Sequence, residues 1–126
     1  MKIKKPKKTK ITLKGNPKST QHIYRSTCKG GFHRRYMIPE GVDIKEFYQL
    51  SAKQQWKRKP MLCPCKVEVR LYFETKRKVD LDNFNKLWAD SLEGVVYAND
   101  NQIAELNITK FYCKENPRIE LEIEEL

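Results

Sequence analysis

Long apolar segments are missing from this 126-residue sequence, whose mean hydropathy is −0.78. No apolar run approaches the roughly 20 residues that cross a bilayer as a helix. The N-terminus, MKIKKPKKTK, has no apolar segment behind its charges, so a secretory signal is not expected. The length suits a single core. We therefore expect one cytoplasmic domain over residues 1–126, with no membrane partner.

Cysteine and histidine are scarce, with four and two residues respectively. Without an export signal the reducing cytosol is the expected compartment, so disulfides are not predicted. Cys63-Pro64-Cys65, joined by His22 or His33, would supply part of a zinc ligand set. No second C-x-C or C-x-x-C motif completes that set, which makes zinc a weak interpretation.

Acidic residues are nearly absent from the first forty positions, where Glu40 alone faces 12 Lys or Arg residues. Residues 41–112 hold 12 bases and 10 acids, whereas residues 113–126 hold two bases and five acids. A net charge of +10 with this asymmetry is typical of a protein that binds a polyanion, most often nucleic acid. The first ten residues, six of them Lys, are also compatible with a flexible tail that aids solubility.

Further along, basic residues are interleaved with Tyr24, Phe32 and Tyr36, which is typical of a nucleic-acid-binding surface. A second basic run immediately precedes the acidic segment discussed below. The predicted DNA-binding residues are Lys14, Lys18, Arg25, Arg34, Arg35, Lys76, Arg77 and Lys78.

Alternation of apolar and polar residues predicts strands, and 3.6-residue periodicity predicts helices. The predicted strands cover residues 10–14, 67–74, 104–109 and 119–124, with a weaker one across 32–38. Asp43 and Glu46 match a capping box, which predicts a helix from there to about Trp56. The connector KENPR, residues 114–118, is compatible with a hairpin loop. These elements indicate a small α+β domain with a mixed or mainly antiparallel sheet and two principal helices.

The second helix is predicted within the segment VDLDNFNKLWADSLEGVVYANDNQ, residues 79–102. Apolar residues from Leu81 to Leu92 occupy one arc of a helical wheel. Asp82, Lys86 and Asp90 lie on the opposite arc at four-residue spacing. The ordinary explanation for acids at a helix start is capping and the helix dipole.

A metal site is the alternative explanation for these acids. Asp80 and Asp82 are separated by one residue, so both carboxylates can face one hard cation, and Asp100 follows after an apolar bridge. Carboxylate oxygens without His or Cys suit Mg²⁺ or Mn²⁺. Such a cation beside a basic surface indicates phosphodiester hydrolysis.

The same segment resembles the RusA family of Holliday-junction resolvases, which are largely phage and prophage endonucleases. The matching positions are residues 80–83, Lys86, Asp90, Leu92, Gly94 and residues 100–102. Fainter similarity extends over residues 17–25 and over RYMIPEG, residues 35–41. Together these stretches cover most of the chain.

The resemblance implies a Mg²⁺-dependent endodeoxyribonuclease, with Mn²⁺ as a substitute, that cuts four-way DNA junctions. It maps the metal ligands onto Asp80, Asp82 and Asp100 and a catalytic lysine onto Lys86. Asn99 departs from the family pattern, which has an acid there. Asp90 is expected to orient Lys86 or to cap the face, rather than to bind the metal directly. Three alternatives remain: a non-catalytic nucleic-acid-binding module, a structural or interaction protein whose acids are ordinary helix caps, and a metal-dependent nuclease for another branched DNA or RNA.

A symmetric homodimer is the expected working form, because resolution requires two opposed strands to be cut in one complex. Family members are dimeric as well. The apolar sides of the strands at 104–108 and 119–123 provide more apolar surface than two short helices cover.

Overall fold

The computed structural model of this chain describes residues 8–19, 24–29, 32–37 and 39–126, with side chains between 24 and 36 outside the description. Its strands are β1 (Lys8–Lys14), β2 (Tyr24–Lys29), β3 (Phe32–Met37), β4 (Cys65–Phe73), β5 (Ile103–Tyr112) and β6 (Arg118–Glu125). Its α-helices are α1 (Pro39–Gln55) and α2 (Lys86–Ser91), and short 3₁₀ helices span Leu81–Phe84 and Asp100–Gln102.

The main sheet has four strands in the order β1-β6-β4-β5. The pairs β1/β6 and β6/β4 are antiparallel, whereas β4 and β5 are parallel. β2 and β3 form a separate antiparallel pair, from Tyr24 opposite Met37 to Lys29 opposite Phe32. The predicted α+β class, with a mixed sheet and two helices, is confirmed.

Strand β4 lies between β6 and β5, and its burial alternates regularly along the sequence. The residues on its core face, from Cys65 to Phe73, are at most 6% exposed. They face buried positions of β6, for example Val67 opposite Ile123 and Leu71 opposite Ile119. A two-residue period with one apolar face produces this arrangement, as the sequence predicts.

Helix α1 begins earlier than the sequence predicts. It starts at Pro39, so Asp43 lies inside the helix and the predicted capping box at Asp43 and Glu46 is wrong. Proline is favoured at a first helical position because the lost N–H has no partner there. Only part of the predicted apolar stripe is buried: Tyr48 is 3% exposed, whereas Phe47 is 48% exposed.

The predicted hairpin between the last two strands is also wrong. β5 and β6 do not pair with each other, because β4 lies between them and pairs with both. β5 is an edge strand, and most of its residues are exposed, including Leu106 at 40%. Ile119, Leu121 and Ile123 of β6 are buried. Of these two strands, only β5 therefore has the predicted excess of apolar surface.

Helices in the described part of the chain are too short or too polar to cross a membrane.

Candidate active site

The acidic segment begins where β4 ends. Residues 74–78 are exposed, and Asp80 follows with an extended backbone, φ −88° and ψ 111°. Its Oδ1 accepts a hydrogen bond from the backbone N–H of Asp82 at 3.2 Å. Asp80 therefore caps the 3₁₀ helix Leu81–Phe84, and both carboxylates are exposed at its start.

The predicted continuous helix is interrupted at Asn85. Its side chain donates to the carbonyl of Leu81 at 3.4 Å and accepts from the indole N–H of Trp88 at 3.3 Å. Trp88 is fully buried, so this contact anchors the break to the core. Helix α2 then starts at Lys86 and carries Asp90 one turn later.

Lys86 and Asp90 form an ion pair, with Nζ 3.2 Å from Oδ2. The Lys86 side chain is 45% exposed and that of Asp90 is 21% exposed. The expectation that Asp90 orients Lys86 agrees with this contact. The ammonium group of Lys86 therefore lies at the surface.

A tight turn returns the chain from α2 toward the core. Gly94 has φ +81°, a conformation that L side chains rarely adopt, and its N–H donates to the carbonyl of Tyr97 at 2.8 Å. The hydroxyl of Tyr97 donates to the carbonyl of Ala89 at 2.6 Å, and burial raises the pKa of this hydroxyl. Tyr97 thereby fixes the turn against α2.

The second 3₁₀ helix is held by reciprocal caps. Asn99 Oδ1 accepts from the N–H of Asn101 at 2.9 Å, and the Asn99 N–H donates to Gln102 Oε1 at 2.9 Å. Gln102 Nε2 donates to the carbonyls of Met61 and Cys63, both at 2.9 Å. Asn99 therefore has a structural role as a helix cap, and Gln102 fixes the 3₁₀ helix that carries Asp100.

Helix α2, the turn that follows it and the second 3₁₀ helix bring three carboxylates together. One oxygen each of Asp90, Glu93 and Asp100 lies within 4.8 Å of the others, and all three residues are half-buried. Glu93 Oε1 also accepts the backbone N–H of Asp100 at 3.1 Å. In the described ranges this is the one group of acids, Cys or His close enough to hold a metal ion.

The electrostatics of this acidic cluster, Asp90, Glu93 and Asp100, fit a cation. Burial raises the pKa of the Asp100 carboxyl, the charges of Glu93 and Asp90 raise it further, and Lys86 opposes the change. Three oxygen donors with unfavourable like charges are the donor set that a hard divalent cation prefers. The residues present therefore fit Mg²⁺ or Mn²⁺ chemically.

The structure groups the sequence-predicted site residues in part. Asp100 belongs to the acidic cluster, and Lys86 contacts it through Asp90. Asp80 and Asp82 do not belong to that cluster, so the ligand set Asp80, Asp82 and Asp100 stays a prediction. The sequence interpretation missed Glu93, whose signal was its position three residues after Asp90, on the same side of a helical turn.

The predicted DNA-binding residues lie partly along one cleft. The lining of a cavity of about 290 Å³ includes Lys18, Arg77, Val79 and Phe84. Val79 and Phe84 lie on either side of the two exposed acids in the sequence. Two other lining residues are hydrogen-bonded to each other, because the Glu74 N–H donates to Asn16 Oδ1 at 3.0 Å. Lys14, Lys76 and Lys78 are exposed nearby in sequence. The side chains of Arg25, Arg34 and Arg35 lie outside the described part of the structure.

Comparison with known families decides the classification. A family model described as "Endodeoxyribonuclease RusA" matches residues 14–124.

The chain belongs to the RusA endodeoxyribonuclease family.

RusA membership supports a nuclease that acts on branched DNA, and the family includes resolvases of Holliday junctions. The chain is also similar to a curated relative, "Uncharacterized protein YqaN" of Bacillus subtilis (strain 168). The two are 25% identical over 138 aligned positions, which cover 93% of this chain and 96% of that protein. Its printed name assigns it no activity, so it adds similarity along nearly the whole chain and nothing about chemistry.

Proposed function

We propose that this RusA-family chain is a Mg²⁺-dependent endodeoxyribonuclease that resolves four-way DNA junctions by paired cuts, as a homodimer. The observation that carries the proposal is the position of Asp100. A family match over residues 14–124 surrounds an acidic cluster in which Asp100 is clamped and an adjacent lysine is held by Asp90.

The metal-binding residues in this proposal are Asp80, Asp82 and Asp100, and Mn²⁺ would substitute for Mg²⁺. The bound cation would supply Lewis-acid assistance to phosphodiester hydrolysis. Asp80 and Asp82 are exposed at a helix start, where they are accessible to a phosphate. Glu93 positions Asp100 by accepting a hydrogen bond from the backbone N–H of Asp100. The acidic cluster holds negative charge where the proposed cation would bind.

Lys86 is the proposed catalytic cation. Its ammonium group is 45% exposed, and Asp90 holds it at 3.2 Å on the side of the acidic cluster. A lysine so placed neutralises charge that develops on the phosphate during hydrolysis, which is where electrostatic groups contribute most to rate. Asp90 acts as its positioning residue.

The cleft lined by Lys18 and Arg77 would carry the DNA backbone. Contacts from Lys and Arg to phosphates position a duplex arm without reading its bases. Val79, which precedes Asp80 in the chain, is part of the cleft lining, so an arm bound in the cleft would bring its phosphates toward the exposed acids. The exposed Lys76 and Lys78 extend the same positive surface.

The homodimer supplies the second active site. One chain contains one acidic cluster in its described residues, and coordinated cuts require two sites related by a two-fold axis. The exposed apolar surface of β5, including Leu106, is available for burial against a second copy.

A cleavage assay tests the proposed function directly. Synthetic four-way junction, continuous duplex and single-stranded DNA are incubated with the protein, with and without Mg²⁺. We expect symmetric nicks in the junction that require the metal and little cleavage of duplex. Junction binding without cleavage under Mg²⁺ or Mn²⁺ would instead identify a non-catalytic binding module.

A further inference from the structure

Tyr112, the last residue of β5, is an aromatic ring at the surface that the proposed mechanism does not use. It is 48% exposed although it pairs with the buried Phe73 on the core side of the sheet. The ring lines a cavity of about 260 Å³ between the ends of β4 and β5. The walls of this cavity, the Tyr112 pocket, are Phe73, Thr75, Lys76, Arg77, Lys110, Phe111 and Tyr112.

The Tyr112 pocket is strongly basic. Lys76, Arg77 and Lys110 are part of its wall, and no described acid is. Lys76 Nζ lies 5.1 Å from the centroid of the Tyr112 ring. Lys76 is itself exposed, so this flexible side chain can move from the ring to a neighbouring anion.

Of the other two aromatic residues in the wall, Phe73 is buried and Phe111 is already stacked on another ring. Its ring is stacked on Tyr72, with centroids 4.9 Å apart and planes inclined by 16°. Arg118 covers Tyr72 at 3.8 Å from that ring's centroid. A flat ligand can therefore reach the ring of Tyr112 by displacing the side chain of Lys76.

The pocket shares three wall residues with the cleft that Lys18 and Val79 line. Phe73, Thr75 and Arg77 line both cavities. The backbone N–H of Cys113 donates to the carbonyl of Phe73 at 2.8 Å, which fixes the end of β5 to the end of β4. A polyanion that follows the cleft thus passes the Tyr112 ring.

We propose that the Tyr112 pocket binds an unstacked base of the DNA substrate, with Lys76, Lys110 and Arg77 contacting the flanking phosphates. This inference rests on the proposed function and specifies which part of the substrate the pocket binds. Aromatic faces surrounded by cations bind bases by stacking and bind the backbone by charge. A base inside a continuous duplex has both faces covered by its neighbours, so the base comes from the branch point or from a single strand.

Substitutions at Tyr112 separate stacking from bulk. Tyr112→Leu keeps an apolar side chain and removes the π-face, whereas Tyr112→Phe retains it. We expect Tyr112→Leu to bind a four-way junction about tenfold more weakly, with affinity for continuous duplex unchanged. Tyr112→Phe should bind both DNAs as the wild type does. Thermal melting of each variant, expected to match the wild type at this exposed position, establishes that the fold is intact.

A tryptophan at this position reports the contact directly. The native Trp56 and Trp88 are 3% and 0% exposed, so the indole of a Tyr112→Trp variant would be the exposed one. Stacking on a base should quench and shift its emission. We expect quenching by the junction and by single-stranded DNA, and little change with continuous duplex.

Charge is tested with matched lysines. Lys110→Gln removes a charge from the pocket, and Lys53→Gln removes one from the exposed last turn of α1. We expect weaker junction binding for the first variant alone. Equal effects from the two substitutions would mean that only net charge matters, which would overturn a defined pocket.

The failures of the two proposals are distinguishable. Wild-type protein that neither binds nor cuts a junction would refute the proposed function. Wild-type protein that cuts junctions, together with unchanged junction affinity in Tyr112→Leu and unchanged emission in Tyr112→Trp, would refute the base pocket alone. A Tyr112→Leu protein that loses junction affinity and also halves in particle size would assign Tyr112 to a contact between copies of the chain, and would overturn the base pocket as well.

Discussion

Glu93 holds the backbone of Asp100 while its charge opposes the charge of the Asp100 carboxylate. Its Oε1 accepts the Asp100 N–H at 3.1 Å, and its carboxylate is among the causes that raise the pKa of Asp100. The same residue thus fixes Asp100 in place and makes a negative charge there unfavourable. A bound cation would relieve that repulsion.

Neutralising each predicted ligand is the first test of the site. We expect Asp80→Asn, Asp82→Asn and Asp100→Asn each to abolish junction cleavage, with binding retained or tighter because negative charge near a phosphate is removed. Asp43→Asn, an exposed acid of α1, is the matched control and should cleave normally. Cleavage is measured under single-turnover conditions, and binding by gel shift in Ca²⁺. Near wild-type cleavage by all three variants would disprove the ligand assignment.

Glu93→Gln separates the charge of Glu93 from its role as the acceptor that positions the backbone of Asp100. The amide oxygen still accepts the N–H of Asp100, but one charge leaves the acidic cluster. We expect the Mg²⁺ concentration for half-maximal cleavage to rise several-fold, with the rate at saturating Mg²⁺ little changed. An unaltered Mg²⁺ dependence would show that Glu93 acts only as a backbone acceptor.

Substitutions of Lys86 and of Asp90 should lower the cleavage rate to different extents. Lys86→Ala removes the proposed transition-state cation, so we expect a fall in rate of about 100-fold or more with unchanged junction affinity. Asp90→Asn leaves the lysine but weakens the 3.2 Å contact that holds it, so the loss should be smaller. Single-turnover rates at saturating protein measure both. A wild-type rate in Lys86→Ala would reduce Lys86 to a helix salt-bridge partner.

Glu120 couples stability to pH. Burial by itself raises the pKa of this carboxyl, but Arg118 at 2.6 Å and Lys10 at 3.1 Å outweigh burial, and the pKa is lowered from its ordinary value of 4.5. The stabilisation is therefore complete above about pH 4.5 and is lost as pH falls through the lowered pKa.

Glu120→Gln should reduce the free energy of unfolding at pH 7 by about 2 kcal/mol, because a charge-assisted hydrogen bond becomes a neutral one. The difference between variant and wild type should shrink as pH approaches 3. Urea unfolding at several pH values measures it. A constant difference from pH 7 to pH 3 would contradict the assignment.

The sequence predicts features that depend on neighbouring residues, and it does not predict features that depend on contacts between distant parts of the chain. Two-residue alternation placed β4 correctly, and the acid spacing pointed to the segment that contains the cluster. Pairing order is not local: nothing in residues 114–118 reveals that β4 inserts between β5 and β6. Glu93 was missed because its contact with Asp100 depends on the turn at Gly94. That turn brings the end of α2 close to the 3₁₀ helix Asp100–Gln102.

Coordinated cutting is the last prediction, and it tests the homodimer. A cruciform on a supercoiled plasmid disappears once it is nicked, so linear product requires both cuts within one bound complex. Two sites related by a two-fold axis provide this, and a single 15.0 kDa chain with one site does not. We expect linear plasmid as the main product, from a species of about 30 kDa by light scattering, twice the chain mass. Mixing wild type with Asp100→Asn protein should convert part of the product to nicked circles, because heterodimers carry one working site. Nicked circles alone, from wild-type protein that measures as a monomer, would refute the dimer and leave a nuclease that cuts one strand at a time.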